Sequence, residues 1–442
     1  MTEAVEKPWP SGRVAWWAVV VLTLTYIVSF IDRTIVSLLT EPIKADLGLN
    51  DTQLSLLQGV AFGLFYSIMG LPLGWLADKV SRKKVIIVGV TVWCLATAAC
   101  GAAQNFWQLF VARMGVGAGE ASFSPAAVSI IADNFPPERR SLPLGLYASA
   151  AAGGSGAALV LGGVVIAAVS GAPRLSLPLL GEIAVWQAVF IIVGLSGLVC
   201  ALLMMTVREP ERRHAIPTGG ADEAAPDTLI GAMRRNPRYF VGVLGAATVL
   251  TCLTYAVLSW VPAAFIRAHQ WTPLQIGSSY GLVLLIFGPI GAVGGGWLSD
   301  VLKRRGVTGA PFWVGGGAMA LVGPLVALAM MAPTGALSVA LFAPAFVLFL
   351  APGGILVAAV QDGVGGAVRA RAAAVYYLVI GVVGMFVGPL SVAALTDYVF
   401  ADPAALPISI AVVAVLFSIT ASALMLYARP AAPSGVLRPK SP

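Results

Sequence analysis

The chain has 442 residues, of which 58% are hydrophobic and 11% charged, with a formal net charge of +7. Soluble domains carry about 25% charged residues, so this composition excludes a cytosolic enzyme, a nucleic-acid binder and a disordered chain. It indicates a polytopic membrane protein, whose basic excess reflects either a partner surface or topology.

In chain order, residues 1–13 are polar, and the apolar run after them exceeds a signal peptide, so a first spanning helix is expected rather than a cleaved leader. A bilayer core takes about 20 apolar residues per helix. Twelve segments fit: 14–40, 53–76, 84–104, 107–134, 141–170 and 185–207, then 238–266, 275–299, 310–331, 337–360, 369–396 and 405–428. The expected architecture is all-α. A six-helix bundle over 14–207 is followed by a polar cytoplasmic linker over 208–237 and a second six-helix bundle over 238–428. Counted over alternate loops, 22 of the 27 Lys and Arg fall on one side. Lys44, Arg174 and Arg267 fall on the other, and Arg33 and Arg113 fall inside spans. Positive charge collects on the cytoplasmic side. Both termini are therefore expected there, and the basic excess is read as topology.

Cys94, Cys100, Cys200 and Cys252 lie inside apolar runs, with neither metal-ligand spacing nor a disulfide framework. His214 and His269 are the only histidines and fall in expected loops. No metal site and no catalytic triad are expected. The glycine-rich stretch 153–156 has no Lys at phosphate-loop spacing. No cofactor is expected, and the driving force would be a gradient.

The second segment ends in Gly74-Trp75-Leu76-Ala77-Asp78, followed by Lys79, Arg82 and Lys83. The eighth ends in Gly296-Trp297-Leu298-Ser299-Asp300, followed by Lys303, Arg304 and Arg305, 222 residues later. The Asp suits a helix N-terminus or an Arg at the membrane boundary, and the basic residues suit anionic headgroups. Simple basic anchoring explains the Lys and Arg but not the shared Gly-Trp-Leu-x-Asp. Duplicated six-helix halves are a transporter architecture with the binding site between them.

Through Gly74–Lys84 and Gly296–Arg305 the chain resembles the major facilitator superfamily over essentially its whole length. Asp32-Arg33, the stretch around Gln58-Gly59, and Arg113-Met-Gly-Val-Gly-Ala-Gly-Glu120-Ala-Ser122-Phe-Ser124-Pro125 resemble its Spinster-type branch, nearly all of it in the first half. The resemblance implies proton coupling and gating at the matching positions, a monomer, and, from animal relatives, lysolipid or sphingoid phosphate cargo.

Independently of family, Asp32, Arg33, Arg113 and Glu120 are the ionisable residues deep inside spans. Each costs at least about 2.5–3.5 kcal/mol there, so they are expected to pair and face a cavity. Arg113 and Glu120 are seven apart, on one helix face. The functional expectation is a proton-responsive cluster in which Asp32 and Glu120 compete for Arg33, with Arg113 and Glu120 available to a polar headgroup. The alternative is a static ion-pair network that fixes helix packing. Tyr26, Ser122, Phe123, Tyr147, Tyr255, Trp260, Tyr376 and Tyr377 are the candidate cavity residues, with Thr254 and Ser259 beside two of them. The second half lacks deep charges, which suits an amphipathic cargo with a polar head and an apolar tail. A hydrophobic drug or metabolite fits as well. Asp133, Glu138, Arg139 and Arg140, with Gly74, Asp78, Arg82, Asp300 and Arg304, would form an inner latch that closes when the cavity faces outward. A channel would require a repeated polar ring and a lipid enzyme a nucleophile or metal constellation, and neither is legible. Membrane lipids are the expected partners, nucleic acid is not, and the expected location is a bacterial plasma membrane.

Overall fold

The fold is given by a computed structural model, which describes residues 9–136, 139–171, 174–177, 181–212, 229–364 and 369–432. Glu138, His214 and most of the expected linker, 213–228, lie outside the described residues.

The first half contains α1 (Gly12–Leu38), the short α2 (Thr40–Leu47), α3 (Asp51–Lys79), α4 (Arg82–Cys100), α5 (Phe106–Glu120), α6 (Phe123–Asn134), α7 (Ser141–Val169) and α8 (Val185–Thr206). A two-stranded hairpin, β1 (Arg174–Leu177) and β2 (Gly181–Ala184), joins α7 to α8 with Arg174 opposite Ala184. The second half contains α9 (Leu229–Arg235), α10 (Pro237–His269), α11 (Pro273–Arg304), α12 (Ala310–Met330), α13 (Gly335–Asp362), α14 (Arg369–Ala394) and α15 (Leu406–Ala428).

Among the described residues, ten helices are long and apolar enough to cross a membrane, and α7, bent by 44°, makes an eleventh. The expected fourth segment, 107–134, is two helices instead. α5 has 15 residues and α6 has 12. The turn between them holds Ser122, whose hydroxyl donates to the Gly119 carbonyl at 2.9 Å. The hairpin was not expected from the sequence. Its strands are four residues each, too short to show an alternation that a loop would lack.

The repeat extends further upstream than the loop motif. α3 opens with a capping box between Asn50 and Gln53, and α11 opens with one between Thr272 and Gln275, again 222 residues apart. Each box satisfies two of the amides that a helix start leaves orphaned. A π-helical stretch follows in both copies, at Leu56–Leu64 and at Gly277–Gly281. Such wide turns are rare and concentrate at functional sites. Trp75 and Trp297, the matching tryptophans, are both exposed on the outside, and Lys79 lies 3.7 Å from the Trp75 ring centroid.

The two halves meet closely at the end that the charge pattern makes the outer one. A Cβ at Gly59 would stand 2.2 Å from the Met385 carbonyl of α14, and one at Gly156 would stand 2.5 Å from the Leu285 amide of α11. Glycine is therefore required where these backbones cross. At the rim, Arg267 of α10 reaches over to the first half. It donates to both oxygens of Asp51 at 2.7 Å and to Glu41 at 2.8 Å, while Lys44 also pairs with Asp51 at 2.5 Å. Thr52 donates its amide and hydroxyl to Asp397 at 2.7 Å. In this state the halves are locked together at the outer end.

Candidate functional site

The core of the site is the meeting of α1 and α5. Arg33 Nε donates to Glu120 Oε1 at 2.8 Å, and its Nη2 joins the same oxygen. The guanidinium also lies over the rings of Tyr66 at 4.7 Å, Phe62 at 5.0 Å and Phe30 at 5.3 Å, an aromatic cage that favours a desolvated cation. Arg113 Nη1 donates to the main-chain carbonyl of Asp32 at 3.1 Å. Asp32, Arg113 and Glu120 are 1%, 1% and 2% exposed. All four deep charges are thus in one cluster, as their shared depth implied.

The pairing within it is narrower than two neutral pairs. Arg33 takes Glu120, and among the described residues Arg113 has no carboxylate within ion-pair distance. Asp32 Oδ1, Glu120 Oε2 and Arg113 Nε are buried with no hydrogen-bond partner among the described residues. The reason is rotational. Adjacent residues on a helix point about 100° apart, so Asp32 and Arg33 cannot both face Glu120.

A cavity of about 290 Å³ lies beside this cluster, between the halves. Arg33, Arg113, Gln58 and Phe62 line its N-terminal wall. Its C-terminal wall has hydroxyls from Thr251, Thr254, Tyr255 and Ser259 of α10, and apolar side chains from Phe346, Phe349 and Leu350 of α13. One wall is charged and the other is mostly apolar, as the distribution of intramembrane charge implied.

Of the eight candidate cavity residues, Tyr255 is the one that lines this cavity. Trp260, five residues on, points about 140° away around the helix. It is fully buried and donates to the Pro389 carbonyl at 2.9 Å, tying α10 to α14. Tyr26, Phe123 and Tyr147 form an aromatic stack, with Tyr26 over Tyr147 at 4.8 Å. Ser122 is buried at the α5–α6 turn. Tyr376 is buried, and its neighbour Tyr377 is 58% exposed. Residue type alone selected these positions, whereas the cavity selects by helical phase. Gln58 and the α13 phenylalanines were missed for the same reason. A Phe in an apolar helix carries no signal distinguishing cavity from lipid.

At the inner end, Arg82 is 2% exposed and pairs with Asp133, and it also donates to Ser129 at 2.8 Å and to the Pro210 carbonyl at 2.8 Å. Glu209 accepts from Ser81 and, at 2.7 Å, from the Arg82 amide. Burial raises the Glu209 carboxyl pKa, but these hydrogen bonds and the Arg82 charge outweigh it and hold the group below its ordinary value. Arg212 then donates to the Ala77 and Val80 carbonyls at 2.7 Å. A Cβ at Gly74 would meet Pro125 of α6 at 3.9 Å, and Arg140 donates to the Phe135 carbonyl at 3.4 Å. Every one of these bonds stays within the first half and the start of the linker. Asp78, Asp300 and Arg304 are exposed and, among the described residues, form no ion pair. Among the described residues, Asp78, Asp300 and Arg304 thus add no ion pair between the halves while the outer ends are joined.

Two pseudo-repeated helical bundles enclosing a cavity, with buried charges along one wall, define a membrane transporter. The chain belongs to the Major Facilitator Superfamily, whose family model matches residues 22–389. It is 31% identical over 391 residues to an MFS-type efflux pump of Mycolicibacterium smegmatis, covering 87% of this chain and 85% of that one. It is 26% identical over 311 residues to Protein spinster of Drosophila melanogaster, covering 68% of this chain and 48% of that one. A crystal structure of a bacterial homologue of the human lysosomal transporter Spinster, inward-facing and occupied, shares the fold. Its TM-score is 0.81 at 24% identity, covering 96% of this chain and 100% of that one. The family is one of transport proteins, not enzymes.

Proposed function

We propose that this chain is a proton-coupled secondary transporter that moves an amphipathic or lipid-like small molecule by alternating access. It acts as a monomer, without a cofactor, in a bacterial plasma membrane. The observation that carries this reading is the wall asymmetry of the cavity. Arg113 lines it with no carboxylate of its own among the described residues, opposite the apolar face of α13. A polar head belongs at Arg113 and an apolar tail against Phe346, Phe349 and Leu350. Coupling follows from the competition around Arg33. Glu120 holds it now, and Asp32, the residue just before Arg33, is the other carboxylate in the cluster. Proton exchange on these acids changes whether Arg33 ties α1 to α5, and the joined outer ends give the switch something to release. Export of a hydrophobic drug or metabolite is the second reading, favoured by the apolar wall and by similarity to an efflux pump.

Proteoliposomes with an imposed pH gradient test the proposal against a panel of lysolipids and hydrophobic drugs. Gradient-dependent flux of a lysolipid, abolished in Asp32→Asn, is expected. Flux that ignores the gradient and survives Asp32→Asn would leave a proton-independent facilitator, and flux of drugs alone would select the export reading.

A further inference from the structure

Gln58 sits in the wide turns of α3, on the cavity wall next to the glycine that touches α14. The hydrogen bonds around it fix which way its amide points. Thr40 Oγ1 donates its proton to the Val36 carbonyl at 3.1 Å, so only lone pairs remain towards Gln58. With the hydroxyl so engaged, the NH2 of Gln58 faces Thr40 and donates to it at 3.1 Å. Its carbonyl oxygen, Oε1, is left buried and without a donor among the described residues. Arg113 Nε, on the same cavity wall, is a buried donor without an acceptor. Unsatisfied buried groups of opposite kind are costly to keep. A cavity that holds both is complementary to a molecule that supplies both partners.

The internal repeat shows that the fold itself does not require a glutamine here. The matching position in the second copy, 222 residues on and also followed by glycine, is Tyr280. That residue does not line the cavity. It is fully buried against Phe265, Phe342 and Phe346, with rings 4.9 to 5.8 Å away. The same frame is thus built once around an aromatic core residue and once around an amide facing the cavity.

We propose that Gln58 is a specificity-determining residue of transport. Its Oε1 accepts a hydrogen bond from a hydroxyl or amine on the cargo head, while Arg113 takes the acceptor group of the same head. The cargo class is an amphipath whose head carries a donor beside an anionic or strongly accepting group. This rests on the amphipathic-cargo reading above.

The test is equilibrium binding to the full-length protein in nanodiscs, using two probes: 1-oleoylglycerol 3-phosphate and its analogue lacking the free hydroxyl. The wild type is expected to prefer the hydroxylated probe by about tenfold, the size of one net hydrogen bond. Gln58→Met should erase that preference. An equal preference in both proteins, or none in a wild type that binds both probes, overturns the proposal. If the wild type binds neither probe, the amphipathic reading fails, and Gln58 is judged by melting of the ligand-free protein. An acceptor kept open for cargo predicts that Gln58→Met melts no lower than wild type. A drop matching that of Thr40→Val would make Gln58 a structural tie between α2 and α3, and would overturn the proposal.

Discussion

The two halves of this transporter are built on one frame and furnished differently. Both copies start their second spanning helix with a capping box, widen it into π turns, and end it in Gly-Trp-Leu-x-Asp and a basic cluster. The first copy faces the cavity with Gln58 and Phe62, beside the arginines of α1 and α5. The second offers Leu284 where the first has Phe62, and hides Tyr280 in an aromatic core. The inner loops differ too. Arg82 is buried among Asp133, Ser129 and the start of the linker, whereas Asp300 and Arg304 are exposed. Framework positions repeat because they satisfy helix ends and helix crossings, which both halves have. Charge does not repeat, and a second buried cluster would add desolvation cost.

The largest expected break in this asymmetry is at Glu120. Glu120→Ala removes the carboxylate that holds Arg33 in this state, a loss of about 3–5 kcal/mol. The melting midpoint and the folded yield should fall accordingly, and Arg33→Leu in the same chain should recover much of it. Asp300→Asn in the second half should stay within about 0.5 kcal/mol of wild type.

The glycine crossings give the next effect. Gly59→Ala pushes a methyl against the Met385 carbonyl, whereas Gly281→Ala, at the matching position, meets the Leu159 Cβ at 2.9 Å. Overpacking costs about 1–3 kcal/mol, and the rigid carbonyl is the harder neighbour. Spin-label distances across the outer ends should lengthen more in Gly59→Ala than in Gly281→Ala. Equal shifts would mean that the two crossings are energetically equivalent.

The smallest effect belongs to Glu209. A carboxylate whose folded-state pKa lies below its unfolded value stabilises the fold above the unfolded pKa, and that contribution vanishes as pH falls through the folded value. Glu209→Gln should therefore lower the melting midpoint slightly at pH 7 and not at all in strong acid. A deficit that persists unchanged in acid would assign the effect to packing.

Much of this organisation was legible in the chain. The apolar runs gave the spanning helices, although the 107–134 run is broken at Ser122, which a hydropathy pattern does not register. The repeat was visible at Gly74 and Gly296, and the capping boxes upstream were legible too, since Asn50/Gln53 and Thr272/Gln275 keep the same spacing. The four deep charges were found because burial is expensive for any charge, wherever it points. Tyr255 and Trp260 mark where legibility stopped. Both are large residues on one helix, and five positions of rotation send one to the cavity and the other into the core.

The sequence by itself determined the solvent, the repeat and the depth of the charges, because transfer from water to lipid is a cost each residue carries locally. The tertiary structure alone decided that Arg33 rather than Arg113 holds Glu120, that Gln58 faces the cavity while Tyr280 does not, and that the halves are joined at Asp51 and Arg267. Those outcomes depend on how each helix is rotated and where it crosses its neighbours. Rotation and crossing are set by close packing between residues far apart in the chain.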